Sequence, residues 1–124
     1  MPNISDNFPE PKWITYELDT DILEPPRIKL KIRFVNMQKI ADIIQRKALS
    51  KASEILEEIW CSCVEQWDLC QNDVLIPCTD ENKRKFYGVL SNILIKERDD
   101  FLGTAVITLA TDLNFFLKAK NTSH

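Results

Sequence analysis

Four cysteines, one histidine and a run of carboxylates are the residues of this chain with chemistry to offer. Cys61, Cys63, Cys70 and Cys78 are spaced C-x-C-x6-C-x7-C, which fits none of the common zinc patterns. On a helix Cys61 and Cys63 would diverge by ~200°, too far to share an ion. The thiols therefore read as free and mostly buried, and neither a metal nor another cofactor is expected. Cys78 stands apart because it precedes a helix start at Thr79-Asp80-Glu81, and helix-terminal amides favour a thiolate. A nucleophile also needs a base, and the single histidine is the last residue, His124. Cys78 accordingly reads as an N′ staple residue packing onto the helix. With two glycines and no Ser/His/Asp grouping, the sequence has neither a phosphate-cradling loop nor a hydrolytic triad. The chain is expected not to be an enzyme.

Two charge patterns compete for a functional reading. Lys29, Lys31 and Arg33 form a basic row, and Glu54, Glu57, Glu58, Glu65 and Asp68 an acidic one. The basic row reads as a solvated strand face whose lysines discourage edge pairing, with Trp13, opposite it, the one aromatic that could be interleaved on that face. The acidic row has helical spacing and reads as a solvent face. A net charge of −3 supplies no global field to recruit nucleic acid or an anionic membrane.

The elements that must position these groups follow from periodicity. Lys12–Leu18 and Arg27–Val35 alternate with period two, separated by a segment ending in Pro25-Pro26. They predict an antiparallel hairpin. From Met37 the period becomes helical, with Asn36 a suitable N-cap. Ile40, Ile43, Ile44 and Ala48 make one stripe; Ala52, Ile55, Leu56, Ile59, Trp60, Cys63, Val64 and Trp67 make a second. The two stripes are out of phase by roughly 140°, which predicts a break near Leu49–Ser53 and a second helix running on to Trp67. Gln71-Asn72-Asp73 reads as a turn and Val74–Pro77 as a short extended piece. Thr79 opens a helix carrying Phe86, Val89, Leu90 and Ile93 or Leu94 inward. A last helix begins at Asp99-Asp100 and ends at Lys118–Lys120, with Ile107 and Phe115 outside its stripe.

At 124 residues the chain has room for one domain. It is expected to be α+β, an N-terminal hairpin followed by about four helices, with residues 1–11 and 121–124 mobile. No segment approaches the ~18 apolar residues of a membrane span, and the polar, acidic N-terminus lacks a secretion signal. A cytoplasmic protein is expected.

The run Val74-Leu75-Ile76-Pro77-Cys78-Thr79-Asp80-Glu81-Asn82-Lys83-Arg84 resembles the P-x-P-C-T-x-E-N-[KR] stretch of tail assembly chaperones of long-tailed bacteriophages. In that family a tryptophan-bearing helix precedes an acidic turn and then this capped helix; Trp60 and Trp67 stand in the corresponding region. Asp112-Leu113-Asn114-Phe115-Phe116 is similar to the family's terminal helix. The family's turn usually contains Asp-Gly, which Asn72-Asp73-Val74 lacks.

The resemblance implies a chaperone that binds the hydrophobic tape-measure protein, contacts the tail tube protein, self-associates and is absent from the virion. Many members also occur in a longer, frameshifted form. Pro77, Cys78, Thr79, Glu81 and Asn82 carry the motif. Trp60, Trp67, Ile107, Phe115 and Phe116 are the candidates for an exposed, partner-binding surface. The alternative is another small phage- or prophage-encoded protein-binding adaptor without enzymatic activity.

Overall fold

In a computed structural model, residues 2 and 9–118 are described. The mobile ends expected at 1–11 and 121–124, and His124, lie largely outside those residues.

The alternating segments become β1 (Lys12–Asp19) and β2 (Arg27–Ile32), antiparallel, with Ile14 opposite Leu30 and Tyr16 opposite Ile28. Their inward residues Tyr16, Leu18, Ile28, Leu30 and Ile32 are buried. The chain is α+β, but a hairpin followed by helices does not describe it. The two strands are the middle of a four-stranded antiparallel sheet of order β3-β2-β1-β6. Its outer strands, β3 (Val64–Trp67) and β6 (Leu94–Ile95), are drawn from segments far along the chain. The physical reason is that a lone two-stranded ribbon is marginal in water, and strands added at its edges satisfy ladder groups while widening the buried face.

Trp13 stands opposite Lys31 in the ladder, and the Lys29 ammonium lies 5.3 Å from the centre of its ring. It therefore stands on the solvent face with the basic row.

Among the described residues five helices accompany the sheet: α1 (Met37–Arg46), α2 (Ala52–Cys63), α3 (Asp80–Leu90), α4 (Leu102–Ala110) and α5 (Leu113–Lys118). Helices α2 to α5 share one core with the strands, and α1 packs against α2. Asn36 caps α1 by accepting from the Lys39 amide. The break between α1 and α2 falls at 47–51, where Leu49 is fully exposed. The last predicted helix is two, interrupted where the Asp112 carboxylate accepts from the Asn114 amide and so starts a new turn.

The second helix also stops early. α2 passes straight into β3 at Val64, whose backbone is extended. Val64 pairs with Ile32 and Gln66 with Lys31, so Glu65 is the extra residue of a bulge. That bulge points both Val64 and Trp67 at the core, reproducing an i, i+3 signature without a helical turn.

After β3 the chain turns into a small ribbon, β4 (Cys70–Gln71) against β5 (Val74–Leu75). Its two-residue loop, Asn72-Asp73, has φ of 54° and 63° at the two positions. That is the doubly left-handed turn which matches strand twist.

Candidate functional site

The motif residues build the start of α3. The Thr79 hydroxyl accepts from the Asn82 amide at 3.2 Å, and the Asn82 side-chain amide donates to the Pro77 carbonyl at 2.8 Å. Asn82, at N3, does not close a capping box on the Thr79 amide; its side-chain amide instead ties the helix start to the Pro77 carbonyl that precedes it. Glu81 is exposed, in the first turn. Cys78 is half-buried against the core, and burial pushes its thiol pKa up. That direction is opposite to the activation a nucleophile requires. Burial likewise pushes Cys61 up to about 11 and Cys63 up to about 12.

Position N4 of this helix is Lys83, which the sequence reading passed over. It is buried, and its ammonium donates to the carbonyls of Cys61 at 2.8 Å and Val64 at 3.0 Å, with Asp80 at 3.3 Å. The clue was available: a lysine in a helix's first turn opposes the dipole and needs another acceptor.

The acidic face of α2 is also more than a solvent face. Glu58 meets Arg84 of α3 at 2.7 Å and Arg46 of α1 at 3.9 Å, and Glu57 lies 3.8 Å from Arg84. The Glu58 carboxylate holds the Arg84 pKa above its ordinary value. Asp68 accepts from the Lys29 backbone amide.

Three of the five residues expected to form an exposed surface are core residues. Trp60, Trp67 and Phe116 are 0%, 3% and 2% exposed. Trp60 packs edge-on to Tyr87. Trp67 sits on a strand, donates from Nε1 to the Ile76 carbonyl at 2.6 Å, and meets Phe86 edge-on. Phe116 packs between Phe34 and Phe115, and Phe115 is half-buried beside it. Large aromatics contribute most where they are fully desolvated, and here the fold has used them internally.

Ile107 is half-buried against the core like Phe115, and it also lines a groove of about 630 Å³ between α2, α3 and α4. Leu56 of α2 and Phe101 at the start of α4 flank it, 45% and 48% exposed. Tyr87 and Gly88 of α3 contribute its floor. Its charged lining residues are both carboxylates, Glu54 and Glu57. Sequence periodicity missed Leu56 and Phe101 because each belongs to an apolar helical stripe, and stripes do not distinguish core from groove.

The chain's two glycines both line this groove. A Cβ on Gly103 would stand 2.6 Å from the Ser91 Cβ, so α4 approaches the end of α3 only because Gly103 lacks a side chain. A Cβ on Gly88 would meet nothing within 4 Å.

Among the described residues no helix is long and apolar enough to cross a membrane, and no group of three or more His, Cys, Asp or Glu side chains could hold a metal ion. No family model matches the chain, and no curated protein or solved structure is similar to it.

Proposed function

We propose that this protein is a non-enzymatic assembly chaperone of a long-tailed phage or prophage. In this reading it holds apolar helical segments of a tape-measure protein until tail tube subunits displace it. The observation that carries the proposal is the groove between α2, α3 and α4, where Leu56 and Phe101 stay exposed beside Ile107. Two exposed apolar side chains flanking one concave strip are the kind of surface into which the apolar face of an amphipathic helix docks. The capped α3 start, on which the family resemblance rests, adds support. Acidic residues outside the groove keep a carrier soluble while its client is greasy.

The test is co-expression with the apolar, helix-rich protein encoded beside it. The wild-type chain should keep that client soluble and co-purify with it. Leu56→Ser combined with Phe101→Ser should abolish retention while the variant still melts cooperatively. A client equally insoluble with and without the wild-type chain would overturn the proposal.

A further inference from the structure

Gly88 has no reason within its own chain to be glycine. It lies inside α3, its φ is not positive, and a side chain there would enter open space. A helix-interior glycine costs about 1 kcal/mol relative to alanine. Gly103 recovers that cost by letting α4 close on Ser91, whereas Gly88 recovers nothing internally. What the missing side chain does provide is a bare floor on which another backbone can come close.

The walls limit what that backbone can be. They are α2, α3 and α4, whose main-chain groups are engaged in their own turns, so the groove offers no ladder to an extended chain. An occupant must satisfy its own backbone, which an α-helix does. Charge narrows it further. The groove's charged lining is Glu54 and Glu57. Glu57 is shared with Arg84, while Glu54 is exposed and joins none of the ion pairs among the described residues.

We infer that the groove seats an amphipathic helix whose small residue crosses α3 at Gly88 and whose lysine or arginine faces Glu54. The inference rests on the chaperone reading and specifies the client's chemistry: apolar on one face, basic on its flank.

The experiment titrates the full chain into two labelled amphipathic peptides of about five turns, read by fluorescence anisotropy. One is built from Leu, Ala and Lys; the other carries Glu for every Lys. The lysine peptide should bind, and the glutamate peptide at least about tenfold more weakly. Gly88→Leu, which fills the floor, should cost the lysine peptide about tenfold or more without lowering the melting temperature. Gly88→Ala adds one methyl into open space and should give a smaller loss in the same direction. Glu54→Lys should weaken binding at about 0.05 M salt and much less at about 0.5 M.

Binding of both peptides alike, binding indifferent to Gly88→Leu, or binding of neither peptide would overturn the inference. A client that co-purifies equally with wild type and Gly88→Leu would also sink it, yet leave the chaperone reading intact. A client that the wild type never retains would sink the chaperone reading itself.

Discussion

The ammonium of Lys83 donates to the carbonyl of Cys61 at 2.8 Å, tying the first turn of α3 to the last turn of α2. α2 has no basic residue of its own in that turn, so its negative end is neutralised from outside the helix. The Val64 carbonyl, where helix becomes strand, shares the same cation at 3.0 Å. One side chain therefore fixes both where α2 stops and where α3 docks.

Lys83→Met keeps most of the stem and removes the charge, leaving two buried carbonyls short of a donor. The expected loss is about 2–3 kcal/mol, from the cost of hydrogen bonds to a charged group. It should be read by urea denaturation as a lowered midpoint at unchanged slope. A change under about 0.5 kcal/mol would show that the two bonds carry no net stability.

Asp73 holds φ at 63°, where a side chain is disfavoured. Asp73→Gly keeps the Asn72 turn and relieves that strain, so the protein should gain about 0.5–1 kcal/mol. The gain should appear as a higher melting temperature. Asp73→Val should lower it, because a β-branched residue fits a left-handed position worst. Equal melting of all three chains would show that this turn frays before the core unfolds.

The two central strands, the Asn36 and Thr79 caps and the interruption after α1 were legible because each rests on a local rule: alternation, an oxygen-bearing cap, a phase shift. The sheet's outer strands were not. Leu94–Ile95 is two residues long, too short for any periodicity, and its pairing with Leu18 and Asp19 is decided by the edge that β1 leaves open. Val64 and Trp67 gave a false helical signal because the bulge at Glu65 restores them to one face. The site was legible only at Ile107. Leu56 and Phe101 carry the residue types of a core, and whether a neighbour covers them is a property of how α2, α3 and α4 meet around the groove.

Alkaline pH should unfold the protein by titrating its buried thiols and Tyr16. Burial raises Cys63 from 9.0 to about 12, Cys61 from 9.0 to about 11 and Tyr16 from 10.0 to about 12. The unfolded chain releases these protons first, so it binds fewer of them as pH climbs and stability falls. The contribution is intact below the unfolded value near 9 and is lost between there and the folded value near 12. Each group costs about 1.4 kcal/mol per pH unit within its window. Cys63→Ala should flatten the fall above pH 9, the ordinary thiol value, when midpoints are followed against pH. Thiol labelling should follow exposure in the native state: Cys70 first, half-buried Cys78 slowly, Cys61 and Cys63 only on unfolding. Rapid labelling of Cys78 ahead of Cys70 would contradict the upward shift of its thiol.

Gly88 and Gly103 should respond to alanine with opposite signs, although both are helical and both border one groove. At Gly103 the new methyl would sit 2.6 Å from the Ser91 Cβ and 3.1 Å from its Cα and carbonyl oxygen. Backbone cannot retreat as a flexible side chain would, so α4 must shift away from α3, at about 1–3 kcal/mol. At Gly88 the methyl enters open space, and the folded state keeps its contacts while the unfolded chain loses freedom, a gain of about 0.4–1 kcal/mol. Thermal melts of the two single variants measure the contrast directly. Adding Ser91→Gly to Gly103→Ala removes the closest atom but leaves the 3.1 Å backbone approaches, so it should restore part of the loss and not all of it. Complete restoration would place the strain in the Ser91 side chain alone; none would place it in the helix backbones that set the groove's width.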